Sequence, residues 1–139
     1  MVKVKICGIR RHEDVEYVNM YKPDYIGLIF AESKRKVTVE QAKELLKGLD
    51  RGILRVGVFV NEDTDEVIRA MLECELDILQ IHGDEDERYI EGLKSKVDNL
   101  INIEEAKRNI QIWKAIRVRD YASLKSMEGN QVDGFVLEA

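Results

Sequence analysis

The sequence predicts an α/β fold built on a parallel sheet that curves as part of a (β/α) barrel, and three observations carry that reading. Short β-rich apolar runs alternate with amphipathic helical stretches along the whole chain. Each run sets an aliphatic face against one that mixes polar, charged and glycine positions. A doubly wound sheet, covered by helices on both sides, reads instead as near-continuous apolar strands. Polar side chains suited to chemistry fall at the C-terminal tips of several runs, where barrels of this kind hold their active sites.

The first strand covers 2–7, where Val2, Val4 and Ile6 alternate with Lys3, Lys5 and Cys7. Its aliphatic face is expected under a helix, and its ammonium groups and thiol on the other side. Gly8 then lets a ligand approach the thiol. A helix over 12–21 turns Val15 and Val18 toward the core, and the second strand follows at 25–30. A helix over 38–49 opens with the capping pair Thr38 and Gln41, then repeats Ala42, Leu45, Leu46 and Leu49. The third strand, 54–60, sets Val56, Val58 and Val60 against Arg55, Gly57 and Phe59, with the mixed second set expected inside the barrel. A helix over 64–75 presents Val67, Met71 and Cys74, the last as core filler.

The fourth strand, 77–82, places Gln80 and His82 opposite Leu79 and Ile81. A helix over 86–96 leads into a long join, 97–110, in which 104–108 reads as an extra helical piece. A fifth strand at 111–118 and a helix over 121–127 precede the sixth strand, 132–138, where Gly134, Val136 and Glu138 share a face. Helical returns between successive strands are what make the sheet parallel. No linker or low-complexity stretch divides the 139 residues, so 1–139 reads as one domain.

Composition excludes several function classes. A net charge of −5 argues against nucleic acid or an anionic membrane as the main partner. No apolar run reaches membrane-span length, and the N-terminus lacks a signal-peptide core. Cys7 and Cys74 read as reduced thiols of a cytoplasmic protein. The acidic run 84–87 complements a helix dipole and is not read as a metal cluster. With no phosphate-cradling glycine motif of the dinucleotide or P-loop kind either, neither metal nor cofactor is expected.

Assembled in order, these residues resemble the phosphoribosylanthranilate isomerase family of TIM barrels. Lys5-Ile6-Cys7-Gly8-Ile9 matches the family's opening motif, and Gly27-Leu28-Ile29-Phe30 with Ser33-Lys34-Arg35-Lys36-Val37 its second strand and loop. Arg55-Val56-Gly57-Val58-Phe59-Val60-Asn61 matches the third strand, and Leu79-Gln80-Ile81-His82-Gly83 the fourth. Trp113-Lys114-Ala115-Ile116 and Val132-Asp133-Gly134-Phe135-Val136-Leu137 resemble the fifth and sixth.

The resemblance implies an Amadori rearrangement of N-(5′-phosphoribosyl)anthranilate, a phosphorylated aminoaldose becoming an aminoketose in tryptophan biosynthesis, with no metal or cofactor. It implies Cys7 as general base, a role suited to a thiolate favoured by a neighbouring cation such as Lys5. Arg35 corresponds to the arginine that grips the anthranilate carboxylate. The resemblance likewise implies that Lys5, Gln80 and His82 line the substrate pocket.

Two departures from the family bear on activity. The family's general acid is an aspartate at the end of the sixth strand, where this chain carries Glu138, one methylene longer. A complete barrel has eight βα units, usually near 250 residues, and this sequence accounts for about six. The expected fold is therefore an incomplete barrel, without the glycine-rich loops that hold the substrate phosphate. Such a chain is expected to be weak or inactive alone and to form a homo-oligomer through its open sheet edges. A second reading, a non-catalytic βα module that self-associates or complements a partner chain, stands beside the enzyme at this point.

Overall fold

The computed structural model describes residues 1–103 and 108–139. Six strands form one parallel sheet in sequential order: β1 (Lys5–Cys7), β2 (Tyr25–Ile29), β3 (Leu54–Phe59), β4 (Ile78–Ile81), β5 (Gln111–Arg117) and β6 (Gly134–Glu138). Helices α1 (His12–Tyr21), α2 (Val39–Leu46), α3 (Thr64–Cys74), α4 (Glu87–Ile103) and α5 (Tyr121–Lys125) return the chain between them. Strictly sequential parallel pairing gives the wall of a barrel, a six-stranded arc with an inner face.

The register fixes which residues line that face, because partners in a parallel ladder point the same way. One inner row runs Cys7, Gly27, Val56, Ile78 and Gln111, and the next runs Ile29, Val58, Gln80, Trp113 and Gly134. The outer face carries Ile26, Leu28, Phe59, Leu79 and Ile112, all packed in the core with Val15, Leu45, Met71 and Leu93 of the helices. Local signals start the helices as expected. At α2 the Gln41 N–H donates to Thr38 Oγ1 at 3.1 Å, and the Thr38 N–H donates to Gln41 Oε1 at 2.9 Å.

Three expectations change. On β3 the valines face inward, and Arg55, Gly57 and Phe59 face the helices. The reason is steric and positional. A Cβ on Gly57 would stand 2.6 Å from Leu76 Cδ1, so that side is already filled. Arg55, at the start of the strand, reaches the Cys74 carbonyl at 3.0 Å and Glu75 at 3.7 Å, with its charge near the lower rim.

On β1 the strand begins only at Lys5, and Val2, Val4 and Ile6 are exposed, Val2 at 87%. A helix returning from β1 to β2 covers the groove between those strands and leaves the far side of an edge strand open. Leu137, on the opposite edge strand β6, is exposed at 54% for the same reason.

Helix α4 continues to Ile103, seven residues beyond the expected end. The spacing Ile90, Leu93, Val97, Leu100 keeps one stripe on the core through that stretch. Of the extra helical piece expected at 104–108, residues 104–107 lie outside the described residues, and Arg108 is not helical.

Candidate active site

Strand β1 contributes Lys5 and Cys7 to the inner face. Gly27 stands beside Cys7 on β2, and a Cβ there would come within 2.7 Å of Cys7 Sγ, so glycine makes the room for the thiol. Gly8 is required twice over. Its φ of +91° lies in the left-handed region, and a Cβ would sit 2.4 Å from Arg35 Nη1. The space over Gly8, expected to admit a ligand, is filled by the Arg35 guanidinium, which donates to the Cys7 carbonyl at 2.9 Å. Arg35 is therefore more than a solvated loop cation. It reaches back from the β2–α2 loop onto the tip of β1, with its outward side exposed.

Four polar side chains then cross the inner face in a hydrogen-bonded row. Lys5 Nζ donates to Gln80 Oε1. Gln80 Nε2 lies 3.1 Å from His82 Nδ1, and His82 Nε2 lies 2.9 Å from Glu138 Oε1. Gln80, only 3% exposed, is the one buried polar residue among those described. Burial pushes the Lys5 ammonium pKa down, against the opposing charges of Cys7 and Glu138. All six residues singled out from the sequence thus meet at one place: five on the inner face and Arg35 on its rim.

Sequence reasoning missed a second group beside them. Glu85 Oε1 accepts from the Gly83 N–H at 2.8 Å and from Lys114 Nζ at 3.0 Å, while Oε2 accepts from the Asn61 N–H at 2.8 Å. Lys114 also donates to the Gly83 carbonyl at 2.7 Å. This carboxylate ties the ends of β3 and β4 to the middle of β5, immediately after His82. The signal was Lys114, which shares a face of β5 with Ile112 and Ile116; a cation in that setting requires an acid. The rest of the acidic run divides, with Asp86 Oδ1 accepting from the Tyr89 N–H at 2.9 Å in the first turn of α4. Among the described residues no three His, Cys, Asp or Glu side chains converge as metal ligands.

Two open clefts lie elsewhere. One of about 630 Å³ is bounded by Arg51, Arg55 and Asp77, and one of about 610 Å³ by Arg11, Glu40 and Glu44. Neither touches the polar row, because the inner face of an arc is an open concave wall and not an enclosed pocket. Chemically, that wall presents a thiol at one edge and a carboxyl joined to an imidazole at the other.

The sequence profile of N-(5′-phosphoribosyl)anthranilate isomerases matches residues 4–134. The chain belongs to this family. An N-(5′-phosphoribosyl)anthranilate isomerase from Thermoanaerobacter sp. (strain X514) is 45% identical over 138 residues, covering 99% of this chain and 61% of that protein. The chain thus spans about three-fifths of the length of such a relative. The isomerase structure from Thermotoga maritima superimposes with a TM-score of 0.82 at 25% identity, covering 100% of this chain and 63% of that one. A further family structure, solved in complex with reduced 1-(o-carboxyphenylamino)-1-deoxyribulose 5-phosphate, gives a TM-score of 0.77 at 28% identity, over 91% of this chain and 59% of that one. The family fold is a barrel, and the six strands here are the corresponding arc.

Proposed function

We propose that this chain serves the isomerisation of N-(5′-phosphoribosyl)anthranilate, an aldose-to-ketose rearrangement of a phosphorylated small molecule. The carrying observation is that Cys7 and the Lys5–Gln80–His82–Glu138 row share one inner face, with Arg35 at its rim. Glu138, protonated, gives its proton to the ribose ring oxygen as the ring opens. Cys7, as thiolate, takes the proton from C2, the carbon beside the iminium formed at C1 as the ring opens, and the resulting enolamine gains a proton at C1 and gives up its C2 hydroxyl proton to become the ketone. Arg35 spends one N–H on the Cys7 carbonyl and turns the rest of its fork outward for the substrate carboxylate. Lys5, Gln80 and His82 form the polar floor. No metal or cofactor takes part.

The test is turnover, followed through the fluorescence of the anthranilate group. The 139-residue chain is expected to run far below a full-length relative, since its inner face is open to water that screens each charge in it. Cys7→Ser should remove the rate that remains. A rate undiminished by that change overturns the assignment of the base.

Two further parts of the proposal concern the state of the protein. The edges at β1 and β6, with Val4, Ile6 and Leu137 exposed, suit pairing with a second copy of the chain. Both cysteines are free thiols, in keeping with a cytoplasmic enzyme. No helix of the described residues is long and apolar enough to cross a membrane.

A further inference from the structure

We propose that Gln80 is a positioning residue: it fixes His82 in the tautomer that carries its proton on Nε2 and so aims that N–H at Glu138. Donors and acceptors along the row admit one arrangement. A glutamine amide has one acceptor oxygen and one donor NH₂. The Lys5 amine donates, so it takes Gln80 Oε1. That leaves Nε2 facing His82 Nδ1 at 3.1 Å, and a donor there needs a lone pair on the ring nitrogen. A neutral imidazole has one proton, which must then sit on Nε2, 2.9 Å from Glu138 Oε1.

The reverse arrangement fails at both ends. Turning the amide over would set its NH₂ against the Lys5 ammonium, which has no lone pair to accept it, two donors face to face. An Nδ1–H, in either the other tautomer or the imidazolium, would likewise meet the Gln80 NH₂. At the Gln80 amide, only 3% exposed, water has little access to relieve either conflict, although the imidazole and carboxyl further along the row are open to it at 28% and 41%. The proton on His82 is therefore set from two links along the row, by the Lys5 ammonium.

The consequence reaches Glu138. Its Oε1 accepts the His82 N–H, so a proton it carries belongs on Oε2, the oxygen turned from the imidazole. This catalytic meaning rests on the isomerase reading above; the tautomer itself does not.

Ring nitrogens report the tautomer directly in long-range ¹H–¹⁵N correlation spectra of the uniformly labelled chain at about pH 8, where imidazoles are mostly neutral. His12, exposed at the start of α1, is the internal control. The expected result is an unprotonated Nδ1 and a protonated Nε2 for His82. A protonated Nδ1 overturns the proposal, whatever any variant does.

Gln80→Glu keeps the shape but replaces the donor facing Nδ1 with an acceptor, so the proton demand should invert and Nδ1 should become protonated. A wild-type pattern in that variant, with the backbone amide spectrum intact, also overturns the proposal. Should substrate analogues fail to bind while the tautomer is as stated, the isomerase reading falls and this inference stands.

Discussion

Glu85 and Lys114 form the least exposed ion pair of the described structure, 3.0 Å apart with side chains 1% and 12% exposed. The carboxylate also receives the backbone N–H of Gly83 and of Asn61, so one acid joins the ends of β3 and β4 to the middle of β5. The left-handed backbone of Asn61 (φ +50°) brings its side-chain oxygen to the Asp84 N–H at 3.0 Å, and leaves no room for a Cβ at Gly83. The segment that follows His82 is thereby pinned to the end of β3.

Removing one member of such a pair leaves the other charge buried without a partner, at a cost of about 3–5 kcal/mol. Glu85→Ala is therefore expected to lower stability by about 3 kcal/mol or more, read as a shift of the urea midpoint. A loss below about 1 kcal/mol would show that the pair is effectively solvated and does not organise the rim.

The two thiols should behave differently. Burial raises the Cys74 pKa from 9.0 to about 11, with the charge of Glu73 acting the same way. At about pH 8 only about one Cys74 thiol in a thousand is then ionised, and the thiolate is the reacting form. Alkylation of the native protein followed by peptide mapping should find Cys7 modified and Cys74 protected. Equal or reversed labelling contradicts the placement of both.

The same raised value carries a pH signature. The folded state keeps the Cys74 proton longer than the unfolded chain, so this contribution is intact below pH 9.0 and is lost as pH rises toward about 11. Cys74→Ala, compared with wild type across that window, should show a flatter decline in stability. Parallel declines would mean that the thiol is not held protonated by the fold.

Gly8→Ala tests the contact between the loop and the first strand. The left-handed φ of +91° and the approach of Arg35 both penalise a side chain, for a combined loss of about 1–3 kcal/mol. Because part of the penalty is the clash with Arg35, adding Arg35→Ala should cost less than the sum of the two single changes. Strict additivity in the double-mutant cycle would show that the guanidinium does not lie over Gly8.

Open edges predict association of the 139-residue chain. Light scattering over a dilution series should show a species larger than one chain at micromolar concentration. A monomer throughout, with hydrogen exchange protecting 132–137, would show the edges capped within one chain.

What the sequence disclosed was local. The α2 cap was readable from Thr38 and Gln41 because both partners lie within one turn, and α1 because Val15 and Val18 repeat at helical spacing. The polar inner positions Gln80, His82 and Glu138 were readable from strand alternation. Less legible was anything decided across the sheet. Alternation on β3 sorts Val56 and Val58 from Arg55 and Gly57, but only Leu76 and the helices decide which set faces outward. Glu85 looked like a helix-dipole acid because its partner, Lys114, is 29 residues away. The use of Gly8 as a bed for Arg35 was hidden likewise, because the guanidinium that reaches it comes from a loop beyond the next strand, 28 residues from its Cys7 partner.

The most direct test of the account is an NMR titration of the labelled chain with reduced 1-(o-carboxyphenylamino)-1-deoxyribulose 5-phosphate. Saturable shifts confined to Cys7, Gly8, Arg35, Gln80, His82 and Glu138 are expected, with Arg35→Ala weakening the response most through loss of the carboxylate contact. Shifts centred instead on the cleft beside Arg51 and Arg55, or none up to millimolar ligand, would contradict the claim that the inner face of this arc is the isomerase site.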